Sequence, residues 1–253
     1  MPTRLKIRNH LKTICCLALA LGILSGCLRI APEASAADVS YSNWRTDAKF
    51  YSGIMSLKTN TYNADRPLII LLPGVGEFSD VREAAKWIRN YHLYDDLDVD
   101  VATAAFWYEP FRISEWVKLS AEMLEFLQEK RDESSPFKVI IDAVSYSGYC
   151  GCFLAQLLTE NGFQVEELNL ADAIIPNQMS TDWLREIAAQ GIHINIWASN
   201  RDGEMHEAGR AALEELQGTE NIGGLVMDVW HGEILSSAIH DHGLHSEYAI
   251  PAE

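Results

Sequence analysis

Basic residues are scarce in this chain: 20 Lys and Arg stand against 36 Asp and Glu, for a formal net charge of −16. So acidic a surface repels nucleic acid and anionic lipid headgroups, which excludes a nucleic-acid partner and a membrane held through a basic patch. Cysteine is sparse as well. Of the five, Cys15, Cys16 and Cys27 lie near the N-terminus, leaving Cys150 and Cys152 two apart on a predicted helix. That spacing points them to different faces, as small packing residues behind a turn and not as a redox pair. The one long apolar run, Ile14 to Leu24, is too short to span a bilayer comfortably. Neither G-x-G-x-x-G nor G-x-x-x-x-G-K-S/T occurs, so a nucleotide cofactor finds no support. Internal repeats, low-complexity tracts and linkers are missing too.

What is present is 253 residues with 48% hydrophobic content, enough for one well-packed domain. Arg4, Lys6, Arg8 and Lys12 precede the apolar run, in the layout of a signal peptide. Leu24-Ser25-Gly26-Cys27 resembles the lipobox of bacterial lipoproteins. The resemblance implies a signal peptide over 1–26, lipidation of Cys27 as the first mature residue, and a membrane-anchored protein of the cell envelope. Ala34-Ser35-Ala36 offers the alternative, ordinary cleavage after Ala36 to give a soluble periplasmic or secreted protein. Removing 1–36 takes the net charge to −20, so any membrane partner is reached through the lipid. The catalytic domain is expected over 38–253.

Beyond a polar start, Phe50 to Lys58 reads as a first strand, and Leu68 to Leu72 as a strand buried on both faces that exits through Pro73-Gly74-Val75-Gly76. A helix from about Val81 to Tyr91, a strand Val99 to Tyr108 and a long helix Ile113 to Lys130 follow. Next come strand Lys138 to Ala143, helix Tyr146 to Glu160, strand Val165 to Ala171, helix Thr181 to Gln190 and strand His193 to Ala198. Helix Glu204 to Gln217 and strand Leu225 to Trp230 close the series. This alternation predicts an α/β fold with a mostly parallel central sheet and helices on both faces. Sites in such sheets lie beyond the carboxyl ends of the strands.

At one of those ends the chain reads V-I-I-D-A-V-S-Y-S-G-Y-C-G from Val139 to Gly151. This segment resembles the nucleophile elbow of α/β-hydrolases, G-x-S-x-G, in which a strained strand-to-helix turn demands small residues two before and two after the nucleophile. Ala143 and Ser147 satisfy that for Ser145, whereas Ser147 as nucleophile would set Tyr149 in the crowded position. The resemblance implies the order nucleophile, acid, base. Asp202, in Ser199-Asn200-Arg201-Asp202-Gly203, stands where the family usually carries its acid, and His231 of Trp230-His231-Gly232 where it carries its base. Asp172, after the preceding strand, is the alternative acid, because some lipases of the superfamily place theirs there. For the oxyanion hole, the resemblance implies the backbone N–H of Tyr146 and, with Pro73-Gly74-Val75-Gly76 in place of the family's His-Gly-x, that of Val75.

The aromatic cluster from Phe106 to Phe111 reads either as packing or as one wall of an acyl pocket. His240, Asp241, His242 and His245 crowd a short polar tail without a partner cluster, so the tail reads as solvated and no metal site is assigned. So few residues separate the strand ending at Ala171 from the next helix that no cap domain is expected. The α/β-hydrolase resemblance thus implies a serine hydrolase acting on an ester or related acyl bond of a small-molecule or lipid-like substrate, without cofactor. A non-catalytic envelope binding protein on the same fold is the alternative, supported by the imperfect elbow and the missing His before Gly74.

Overall fold

A computed structural model describes residues 47–51, 54–57, 66–74, 81–104, 113–130, 138–173, 181–201 and 207–251. All of them belong to the compact unit Ala36–Glu253. The strands are β1 (Asp47–Tyr51), β2 (Ile54–Leu57), β3 (Leu68–Leu72), β4 (Asp100–Ala104), β5 (Lys138–Val144), β6 (Gln164–Ala171), β7 (His193–Ser199) and β8 (Ile222–Met227). The helices are α1 (Val81–Asn90), α2 (Ile113–Lys130), α3 (Ser147–Glu160), α4 (Thr181–Ala188), α5 (Glu207–Glu215) and α6 (Ile234–His240). No described helix is long and apolar enough to cross a membrane.

The strands form one sheet in the order β1-β2-β4-β3-β5-β6-β7-β8. From β4 to β8 the neighbours run parallel, while β1 and β2 pair antiparallel with each other and β2 pairs antiparallel with β4. Alternate side chains feed two separate cores, the period-two consequence of the pleat. Leu68, Ile70, Leu72, Val139, Ile141 and Ala143 meet α2, α3, α4 and α5 on one face. Ile69, Leu71, Ile140 and Val144 meet α1 and α6 on the other. Burial of both faces explains why β3 is a continuous apolar run and why β5 is apolar from Val139 to Val144 except at Asp142, each buried Val, Leu or Ile contributing about 1.5–3 kcal/mol. Both faces being covered also leaves the strand ends as the places where polar chemistry can surface.

Three differences from the sequence reading have physical causes. The single strand expected over Phe50 to Lys58 is instead a hairpin in which Tyr51 pairs with Ile54, so only Ser52 and Gly53, a favourable hairpin pair, lie between the strands. β8 begins at Ile222 and not at Leu225. Gly223 and Gly224 hid its start, since glycine is depleted in strands. Gly224 has φ 152°, and a β-carbon there would collide with the backbone of Ile196. The third difference is in the C-terminal segment, where His240, Asp241 and His242 are exposed as expected but His245 is not. Ile234, Leu235, Ala238 and Ile239 of α6 are buried in the second core, and His245 is buried behind them.

Candidate active site

The carboxyl ends of β5, β6, β7 and β8 converge on one group of residues. At the first of them, Ser145 follows β5 with φ 58°, a left-handed conformation that costs a non-glycine residue about 1–2 kcal/mol. What holds the turn is local. The Ser145 N–H donates to the carbonyl of Ala171 at 3.0 Å, and the Gly148 N–H donates to the carbonyl of Ser145 at 3.1 Å. Tyr146 then enters right-handed backbone (φ −59°, ψ −21°) at the start of α3. The reversal is tight enough that a β-carbon on Gly148 would overlap that of Ala173, and one on Gly151 would lie 2.8 Å from that of Ala143. Smallness is therefore demanded at Gly148 and Gly151, which pack against β5 and the β6 exit.

Ser147 occupies the position where the elbow motif carries its second glycine, and its hydroxyl has a structural use. It lies within 2.5 Å of the Leu72 carbonyl and 2.7 Å of the Val144 carbonyl, wholly buried. The side chain thus ties the end of β3 to the turn. Tyr149 packs edge-on against Trp183, with ring centroids 5.2 Å apart.

Asp172 follows β6, also in left-handed backbone at φ 48°. Its N–H donates to the Trp197 carbonyl at 2.7 Å, and its Oδ1 accepts the Ser199 N–H at 2.7 Å. Its other oxygen, Oδ2, lies 3.0 Å from Nδ1 of His231. The carboxylate is fully buried and the His231 ring four-fifths buried. His231 opens a short 3-10 turn, His231–Glu233, just beyond the β8 exit. A buried carboxylate on Nδ1 fixes the ring's orientation and favours the tautomer that carries its proton on that nitrogen.

The fold therefore gives His231 the partner that the sequence held second. Asp202, ranked first, lies outside the described residues, as do Val75, Cys27 and the aromatic cluster from Phe106 to Phe111. The reason Asp172 reaches is the backbone: its left-handed turn and its bond to β7 swing the carboxylate across the top of the sheet toward the β8 exit.

Two further groups escaped the sequence reading. Asp142, in the middle of β5, is fully buried. Its Oδ2 accepts the Tyr94 hydroxyl at 2.7 Å and faces Nε2 of His245 at 3.0 Å, while its Oδ1 accepts the Asn169 amide at 2.8 Å. A charge inside an otherwise apolar strand was the available signal, because a buried carboxylate requires partners. Burial alone would raise the Asp142 pKa, but the His245 charge, with hydrogen bonds from His245, Tyr94 and Asn169, brings it below the usual value. For His245 burial works downward, and Asp142, helped by Glu167 and Glu247, overcomes it and raises the pKa. Both shifts favour the charged forms, and the pair pins the C-terminal segment against β5.

This pair predicts a pH-dependent stability. A depressed Asp contributes stability above its unfolded pKa and loses it as pH falls through the folded value. A raised His contributes fully below its unfolded pKa and loses it as pH rises through the folded value. The pair's contribution is thus greatest between about pH 4 and 6.5, the ordinary carboxylate and imidazole values. Removing one partner of a buried pair costs about 3–5 kcal/mol, so His245→Ala should melt well below the wild type. Thermal melts across pH should show the gap narrowing at both ends, and a gap independent of pH would refute the pairing.

Cys150 and Cys152 are free and fully buried. Burial pushes the Cys150 thiol up to about 12 and Cys152 higher still, so neither supplies a thiolate near neutral pH. Among the described residues, no group of three or more His, Cys, Asp or Glu is placed to hold a metal ion.

With this geometry in view, solved structures supply the comparison. An uncharacterised protein from Capnocytophaga ochracea aligns with TM-score 0.52 at 13% identity, over 78% of this chain and 61% of that one, so this chain spans less than two thirds of its length. The Fe-lacking apo form of ESTFA aligns with TM-score 0.52 at 10% identity, over 88% and 92%. A hyperthermophilic esterase from the archaeon Pyrobaculum calidifontis aligns with TM-score 0.51 at 12% identity, over 76% and 79%. The chain has the α/β-hydrolase fold. No protein-family model matches it, and no curated protein matches it in sequence. Within that fold, its elbow carries Ser147 in place of glycine, and the carboxylate on its His follows β6.

Proposed function

We propose that the protein is an exported serine hydrolase that cleaves an ester or related acyl bond through an acyl-enzyme. The observation that carries this reading is the buried Asp172 carboxylate on Nδ1 of His231, at the same sheet edge as a serine held in a strained turn. The backbone joins the three residues, since the Ser145 N–H is bonded to Ala171, the neighbour of Asp172. In this reading the Ser145 hydroxyl attacks the acyl carbon while Nε2 of His231 takes its proton and then delivers it to the leaving group. Asp172 holds the ring and stabilises the imidazolium. In the same reading the backbone N–H groups of Tyr146 and Val75 receive the developing oxyanion. Water, activated by the same imidazole, releases the acid. The esterases named above support the reaction class for those proteins, and the proposal extends it to this chain.

The sequence adds the location: a lipid on Cys27 holds the enzyme at the envelope membrane. A single experiment tests both parts. Cells expressing the chain are separated into membrane and soluble fractions, treated with a fluorophosphonate probe, and the labelled protein is mapped by mass spectrometry. The expected result is an adduct on Ser145 in the membrane fraction. Folded protein without any adduct returns the non-catalytic binding protein. An adduct confined to the soluble fraction moves the mature start to Ala37.

A further inference from the structure

The Asp172–His231 pair is one side of a closed ring of hydrogen bonds, and the residue that closes it is Ser199, the last of β7. Its N–H donates to Asp172 Oδ1 at 2.7 Å. Its hydroxyl donates to the Val229 carbonyl at 2.7 Å. Val229 stands two residues before His231, whose Nδ1 returns to Asp172 Oδ2 at 3.0 Å. Ser199 is fully buried, and its remaining polar groups are also used. Its hydroxyl oxygen accepts the Arg201 N–H at 3.2 Å, and its carbonyl accepts Nη1 of Arg210 at 2.5 Å. We infer that Ser199 is a positioning residue that sets the Asp172–His231 geometry, by clamping the loop bearing His231 to the strand end that holds Asp172. This rests on the serine-hydrolase reading for its kinetic consequence, though not for its geometry.

The physical argument is one of reach. His231 is carried beyond the end of β8, the last strand of the described sheet, with Leu225 and Val226 exposed, so no further described strand restrains the exit. The backbone ladder between β7 and β8 runs only to the bond from the Asn200 N–H to the Met227 carbonyl. Past that point two side-chain ties link the exits: the exposed Arg201 guanidinium on the Asp228 carboxylate, both bonds 2.9 Å, and the buried Ser199 hydroxyl on Val229, the one that lies nearer to His231 in the chain. A buried hydroxyl donating to a carbonyl in this setting is hard to dispense with, since the acceptor would be left unpaired away from water. A small displacement of the base is costly, because an error of about 1 Å in a catalytic group's placement lowers rate on the order of 10²-fold.

The test compares Ser199→Ala with Ser199→Thr, which keeps the hydroxyl. Ser199→Ala should lower kcat for a p-nitrophenyl ester on the order of 10²-fold with KM unchanged, and Ser199→Thr should restore most of it. In an Asp172→Asn background the same Ser199→Ala change should cost little more, because both act through one pair. A second readout needs no turnover. The downfield proton resonance of His231 Nδ1–H, assigned by its loss in His231→Ala, should broaden or vanish in Ser199→Ala and return in Ser199→Thr. Should Ser199→Ala fail to fold, Ser199→Cys, with a weaker donor of similar size, carries the same comparisons. Wild-type kinetics and an unchanged resonance in a Ser199 variant that lacks the hydroxyl overturn the inference. An intact effect on the resonance in a protein that hydrolyses nothing overturns the enzymatic reading alone.

Discussion

Ser145→Ala is expected to abolish fluorophosphonate labelling and to lower kcat for an activated ester by as much as about 10⁶-fold, the loss seen when a triad nucleophile is removed. The fold should survive. Ala tolerates the left-handed turn about as well as Ser does, and the turn's two backbone bonds, to Ala171 and from Gly148, do not involve the Ser145 side chain. The neighbouring serine provides the control. Ser147→Ala loses a buried hydroxyl bonded to Leu72 and Val144, so it should melt lower yet still label on Ser145. Loss of labelling in a folded Ser147→Ala protein, with labelling kept in Ser145→Ala, would exchange the two roles.

Asp172→Asn should cost about four orders of magnitude in turnover, because an amide facing Nδ1 favours the wrong tautomer of His231 and cannot stabilise the imidazolium. The Ser199 N–H still finds an oxygen on Asn only in one of two amide orientations. That orientation points the NH₂ group at His231, so the substitution inverts the polarity of the contact while keeping its shape. Asp202→Asn should leave turnover near that of the wild type. The comparison is decided by kcat measured on both folded variants. Near-normal turnover in Asp172→Asn together with an inactive Asp202→Asn would restore the acid's role to Asp202.

The two acids show where reading the sequence reached its limit. Both follow predicted strands in the right chain order, so position along the chain does not separate them. What sets Asp172 against His231 is a backbone turn of φ 48° and a bond from the Ser199 N–H, and both arise only once β6 and β7 lie side by side. His245 makes the same point differently. In sequence it sits in a short polar tail rich in His and Asp. In the fold the chain brings His245 back against β5, and the Asp142 charge, 103 residues earlier, raises its pKa. Ser199, read as the start of a loop, closes the ring around His231 for a comparable reason: its hydroxyl partner is 30 residues away, in the segment just past β8.

The sequence by itself determined the layered α/β architecture, the near-complete element order and the elbow, because those follow from local signals: apolar period, continuous buried runs, and small residues around one serine. Ala143, Ser145 and Ser147 are legible because a strained turn constrains its immediate neighbours. Only the tertiary structure decided which carboxylate serves His231, what the Ser147 hydroxyl holds, and why His245 is buried. Each of those depends on hydrogen bonds between strands distant in the chain, whose geometry is sensitive to a few tenths of an ångström and to backbone angles at single residues. Patterns of residue type record burial well, but they do not record such distances.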